Sequence, residues 1–217
     1  WTGEMTELSN ELIAAAKSQM QGALAQSGHV TAVLRSLSGL SGANEFKENS
    51  LGINGYRLFE ELFNDYDSNR DELKDKLGML TRHIFRPEKM IIDITCDAEG
   101  VEGIAERTED LKAALAKMPA AELPAFPAWR PHIEKEAFRT SGQVQFVAAS
   151  GNFREKGFEY TGALQILRIM MNYDYLWMNI RVKGGAYGCM SGFNRDGSAY
   201  MVSYRDPHLK NTLDRKS

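Results

Sequence analysis

Between residues 181 and 188 the chain reads Arg-Val-Lys-Gly-Gly-Ala-Tyr-Gly, directly after an apolar segment rich in Met, Leu and Trp. A glycine inside a helix costs about 1 kcal/mol relative to alanine, so the pair Gly184–Gly185 marks a helix end or a place where backbones approach closely. Two readings are open at this point. In the first, Arg181 and Lys183 complement the negative end of a helix, Gly184 caps it, and Tyr187 begins the next strand. In the second, Gly184 and Gly185 let a substrate backbone come close, while Arg181 and Tyr187 present two donors from one bend. A guanidinium and a phenol can both hydrogen-bond to a developing oxyanion. The spacing alone does not choose between them.

Other candidate sites fall away on geometry. The four histidines, His29, His83, His132 and His208, include no pair one helical turn apart with a neighbouring glutamate, so neither His-Glu-x-x-His nor its inverse is present. Residues 65–76 mimic a calcium loop through Asp65, Asp67, Asn69 and Asp71, but Arg70 replaces the turn glycine and Lys76 the bidentate glutamate. Acidic residues at a helix start explain that stretch better. Ser150-Gly151 after a strand lacks the first glycine of a nucleophile elbow, with Ala148 in its place. Gly184–Gly188 lacks the Gly-Lys-Ser/Thr ending of a phosphate loop. No metal site is expected in this chain. Cys96 and Cys189, the only cysteines, are too few for a disulfide framework or a thiolate zinc site, which favours a reducing compartment.

The 217 residues suffice for one large domain or two small ones, and 43% hydrophobic with 25% charged residues is an ordinary globular composition. No apolar run reaches about 18 residues, so no membrane span is expected, and the N-terminus lacks the basic start and apolar stretch of a signal peptide. Charge is uneven. Residues 1–142 carry 16 basic and 23 acidic side chains, and residues 143–217 carry 10 and 6. No Lys/Arg-rich run interleaved with aromatics points to nucleic acid.

The elements that must position the bend follow from periodicity. Leu8, Leu12, Ile13, Ala16 and Met20 lie on one helical stripe, and Val30, Val33, Leu34 and Leu37 on a second, with Gly28 as the break or cap between them. Residues 39–52 read as a polar loop. Tyr56, Phe59, Leu62 and Phe63 predict a short helix, and Leu73, Leu77, Leu80 and Ile84 another that Pro87 ends. The β-branched run 90–97 predicts a buried strand, and 103–118 a helix with Thr108 as an internal cap. Four of the six prolines fall in 119–131, an extended segment that cannot be helix or central strand. Residues 143–150 then predict a strand, 161–180 a long, mostly buried helix, and 189–204 a hairpin turning at Asn194–Gly197. A helix start in 206–217 has no room to bury a face, which suggests a chain cut inside an element. The expected fold is α+β, with helices packed on a largely antiparallel sheet. The expected organisation is a helix-rich part over 1–118, a proline-rich linker over 119–142, and a strand–helix–hairpin part over 143–217.

Residues 176–214, with Arg181, the Gly-Gly-Ala stretch, Tyr187, Gly192-Phe193-Asn194-Arg195 and Ser203-Tyr204-Arg205-Asp206-Pro207, closely resemble the C-terminal half of the insulinase-family (pitrilysin-like) zinc metallopeptidases. The nearest subgroup is the presequence proteases and their bacterial insulinase-like relatives. Residues 1–118 resemble the preceding part of that half more loosely.

The resemblance implies a four-domain parent whose two halves clamp around a peptide in a closed chamber. Its N-terminal half carries the inverted zinc motif, and its C-terminal half contributes an arginine and a tyrosine six positions apart that reach the scissile carbonyl. Those two match Arg181 and Tyr187. By this resemblance the chain runs from the end of the third domain to the start of the fourth, lacks the zinc-bearing half, and is inactive alone. Its partners would be peptide substrates and the N-terminal catalytic half, with no nucleic acid and no membrane. Its setting would be intracellular, a bacterial cytoplasm or else an organelle matrix. A second reading is a catalytically silent structural or partner-binding subunit of the same family, against which the intact Arg/Tyr pair argues.

Overall fold

The computed structural model describes residues 10–132, 134–140 and 142–216. The chain divides into two compact units that interleave along the sequence: residues 65–127 form one, and residues 11–64 pack with 128–217 in the other. The helix Gly28–Ser38 lies on the C-terminal sheet.

In that sheet-bearing unit, α1 (Asn10–Gln26) and α2 (Gly28–Ser38) are separate helices. The interruption falls at Ser27, and Gly28 opens the second helix. The segment expected as a loop is instead mostly helical. α3 (Gly42–Leu51) starts at the N-cap Ser41, whose hydroxyl accepts from the Asn44 N–H at 3.2 Å. Its buried residues are Asn44 and Glu48, so it has no apolar stripe to betray it. Arg35 of α2 faces Glu48 at 3.4 Å and grips Glu136 through both carboxylate oxygens, at 2.6 and 2.7 Å. The bond from Arg35, ahead of opposing burial, holds the Glu136 carboxyl below the usual carboxylate range. α4 (Ile53–Asn64) matches its predicted stripe.

The sheet has three antiparallel strands, β1 (Gln145–Asn152), β2 (Gly188–Phe193) and β3 (Ser198–Asp206), in the order β1-β3-β2. Alternation gives it two faces. Phe146, Ser150 and Tyr204 look toward α2, where Ser150 donates its hydroxyl to the Ser36 carbonyl and His29 lies 5.1 Å from the Tyr204 ring. Cys189, Ser191 and Met201 look toward the helix leading into β2. That helix is α7 (Ala163–Met170) continuing as a π-helix over Met171–Val182. Leu176 and Ile180 of the π-helix form the core with Ala186, and Asn172 accepts from the Ser191 backbone and hydroxyl at 2.7 and 2.8 Å. The expectation of a mostly buried helix is corrected here: only Leu176 and Ile180 of the π-helix are buried, while Ile166, Ile169, Met170 and Tyr173 face outward. The helix α8 (Lys210–Lys216) closes the unit and buries Thr212.

The hairpin between β2 and β3 turns where the sequence predicts. Asn194 donates to the Ser198 carbonyl at 2.8 Å, and Gly197 takes the left-handed φ of +96° that its turn requires. Asp196 accepts from the Ser198 N–H at 2.9 Å and from its hydroxyl at 2.6 Å. Partial burial pushes the Asp196 carboxyl up, but the bonds from Ser198 and from its own backbone outweigh it and leave the pKa below the ordinary aspartate value.

The second unit contains α5 (Tyr66–Ile84), a 3-10 turn at Pro87–Lys89 and α6 (Ala98–Ala116). The strand expected over 90–97 does not form. These residues are extended but pair with no strand among the described residues, and Ile91 is 95% exposed. Met90, Ile92 and Ile94 line a shallow groove against Ala105 and Thr108 of α6. Asp97, rather than Thr108, caps α6 by accepting from the Gly100 N–H at 2.9 Å, whereas Thr108 sits mid-helix and donates to the Ile104 carbonyl. The proline-rich 119–131 forms neither helix nor strand.

Two outcomes check this packing. A Cβ on Gly188 would lie 2.2 Å from the Tyr204 ring, whereas one on Gly151 meets nothing within 4 Å. Gly188→Ala should therefore lower stability by about 1–3 kcal/mol, and Gly151→Ala should not, when urea midpoints are compared. Asp196 contributes stability that is present above its unfolded value of about 3.8 and lost as pH falls through its lower folded value. The stability gap between the parent chain and Asp196→Asn should accordingly be widest near neutral pH and close below about pH 3.8.

Candidate functional site

The bend that the sequence singled out is built by an unusual helix end. In the π-helix, backbone bonds run one residue wider than in an α-helix, and such winding is frequent at functional sites. The closing bonds are wide as well: Lys183 N–H to Met178 O, Gly185 N–H to Arg181 O, and Ala186 N–H to Ile180 O, at 3.0, 2.9 and 3.2 Å. The last two are each one residue wider than in a Schellman close. The residue that takes the left-handed conformation is Gly185, with φ +79°, and not Gly184, which the helix-capping reading had placed there. Gly184 is buried. Ala186 then plugs the core, and the chain emerges at Tyr187.

Arg181 and Tyr187 are brought together. The Arg181 guanidinium lies 4.4 Å from the Trp177 ring centroid and 5.3 Å from that of Tyr187, and its Nη1 donates to the Tyr187 carbonyl. Such stacking suits the planar, weakly hydrated guanidinium better than an ammonium. Tyr187 is 57% exposed. Its ring meets Tyr204 edge-on at 5.6 Å, its N–H donates to the Arg205 carbonyl at 3.3 Å, and the Arg205 guanidinium lies 5.6 Å from its centroid. Sequence reasoning gave no role to Trp177, Tyr204 or Arg205. Trp177 was legible as a partner four positions before Arg181 on one helix, but the other two arrive only through strand pairing.

The arrangement can donate. A guanidinium has N–H groups on three nitrogens and the tyrosine one O–H, so an acceptor over the bend could be met from two directions. As for metals, no group of three or more His, Cys, Asp or Glu side chains clusters among the described residues.

Comparison with known proteins converges on the same segment. Residues 135–216 match the family model described as the PreP C-terminal domain, and residues 6–62 match that of a peptidase-associated region. Protein HypA of Clostridium perfringens is 33% identical across 94% of this chain, and that stretch is 21% of the HypA length. Presequence protease 1 of Arabidopsis thaliana, described as chloroplastic/mitochondrial, is 25% identical over 94% of the chain and 19% of its own length. The mitochondrial presequence protease of Yarrowia lipolytica is 29% identical over 93% and 21%. The two family models and the presequence-protease relatives together support a C-terminal fragment of the pitrilysin-like peptidase family, and the chain spans about a fifth of the length of the curated relatives it matches.

Because Gly185 alone at this bend holds a left-handed φ, Gly185→Ala should cost about 1–2 kcal/mol, read as a drop in the urea midpoint.

Proposed function

We propose that this chain is the non-catalytic portion of a zinc-dependent oligopeptidase that degrades peptides in a closed chamber, and that it supplies contacts to the substrate and to the tetrahedral intermediate. The observation that carries the reading is the pairing of Arg181 with Tyr187, a residue more than half exposed at a bend pinned from both sides. Zinc and the general base would reside in the N-terminal half of the whole protein. The role of this chain's residues follows from their own donors. Arg181 and Tyr187 would hydrogen-bond the peptide carbonyl oxygen and bind it more tightly as negative charge develops there. Of the two glycines, Gly185 is exposed and would let the substrate backbone approach while giving the bend its shape, whereas Gly184 is buried and would act only through the backbone packing beneath it.

The partners in this reading are peptide substrates and the N-terminal catalytic half, with neither nucleic acid nor membrane. Among the described residues no helix is long and apolar enough to cross a membrane. An intracellular setting, a bacterial cytoplasm or an organelle matrix, is favoured by the bacterial source of HypA and the organellar names of the presequence proteases.

The kinetics of the whole protein test the assignment. Tyr187→Phe keeps the ring and removes one donor, so kcat should fall about 100- to 1,000-fold with little change in thermal stability. Arg181→Ala should lose at least as much, with a further rise in KM if the guanidinium also holds the ground-state carbonyl. A kcat within a few-fold of the parent for both variants would reduce the pair to a helix terminus and a surface ring.

A further inference from the structure

The pairing register contains one irregularity. Phe146 of β1 opposes Tyr204 of β3, but its neighbour Gln145 opposes Asp206, so Arg205 is left over as the extra residue of a β-bulge. Arg205 is also the one non-glycine residue with a positive φ, +49°, among the described residues. Bulges of this left-handed kind favour glycine, recur beside active sites, and re-aim side chains there. A bulky residue kept in such a conformation persists only where its surroundings over-determine it.

The surroundings do so on two sides. In an unbroken strand Arg205 would follow Met201 and Ser203 onto the face that packs against the π-helix, where a charge would be buried. The bulge instead sends Asp206 inward. Asp206 is fully buried and accepts from the Ser203 hydroxyl at 2.5 Å, the His208 N–H at 2.9 Å and the Thr212 hydroxyl at 3.1 Å. On the other side, both residues at the bulge touch Tyr187. The Tyr204 ring meets it edge-on, the Arg205 carbonyl accepts its N–H, and the Arg205 guanidinium lies over its ring.

We propose that Arg205 is a positioning residue for Tyr187. The bulge turns its guanidinium onto the phenol ring and, with Arg181 and Tyr204, restricts the ring to the orientation in which its hydroxyl meets the substrate carbonyl. This rests on the role proposed for Tyr187 above. It goes beyond that role by assigning the third side of the clasp, and by explaining why an arginine stands where glycine would sit without strain.

A double-mutant cycle in the whole protein tests it, with a quenched fluorogenic peptide as substrate and Arg205→Gly made alone and together with Tyr187→Phe. Arg205→Gly removes the guanidinium and suits the left-handed backbone. It should lower kcat about 10- to 100-fold, the scale on which a misplaced group loses rate, with KM changed less. Arg205→Lys keeps a cation over the ring and should restore most of the rate. In the Tyr187→Phe background, Arg205→Gly should cost less than about twofold, because both act through one hydroxyl. An equal loss in both backgrounds, or none in either, overturns the proposal. If Tyr187→Phe alone leaves kcat unchanged, the role of Tyr187 fails rather than that of Arg205. The positioning claim is then read in the 217-residue chain by the aromatic NMR signals of Tyr187. On Arg205→Gly these should move toward free-tyrosine positions while those of Tyr200 stay put, and unmoved Tyr187 signals would overturn it.

Discussion

The site depends on a side chain that is absent. Tyr204 lies across Gly188, its cross-strand partner, with ring atoms 2.2–2.6 Å from where a Cβ would stand. An aromatic laid over a strand glycine both fills the gap left by that glycine and fixes the register of the pair. Here it also carries the ring to a place where it meets His29 of α2 and Tyr187 at the bend. With β3 paired on both edges, this contact links α2, the sheet and the mouth of the hairpin through one ring. A larger residue at 188 would move Tyr204, and the aromatic support of Tyr187 would move with it.

What the sequence made legible was local. The Gly-Gly bend after an apolar helix, the Asn-Arg-Asp-Gly turn and the antiparallel hairpin are each specified within a few residues by glycine stereochemistry or turn chemistry. Arg181 and Tyr187 stand near enough along the chain for their juxtaposition at one bend to follow. The bulge at Arg205 could not be foreseen that way. It depends on which residues of β1 face β3 across more than fifty intervening positions, and no residue near 205 announces it: the position holds arginine where the left-handed conformation would have predicted glycine. The π winding of 171–182 was equally hidden, since apolar spacing sets which face is buried and not which carbonyl each N–H selects.

Two misread segments show the limits of hydrophobic patterning from opposite directions. α3 reads as a loop because its inward face is Asn44 and Glu48 rather than an apolar stripe, with Glu48 held by the Asn54 N–H and the ion pair with Arg35. Residues 90–97 read as a strand because they are β-branched and apolar, yet a strand needs a partner to satisfy its backbone, and none lies beside it among the described residues. Pattern reports what a segment could bury. Pairing decides what it becomes.

The same distinction explains how an exposed tyrosine can be held still. Most of the Tyr187 side chain gains no burial, so its order has to come from the backbone and from its ring neighbours. Its N–H is taken by the Arg205 carbonyl and its carbonyl by the Arg181 guanidinium, so both main-chain polar groups of this residue are committed. The ring is then bounded by an edge-on tyrosine and two cations. None of these contacts uses the hydroxyl. A donor whose backbone and ring are held by neighbours needs little reorganisation to meet a charge that develops in front of it, and that is the condition under which a single hydrogen bond has its largest effect on a rate.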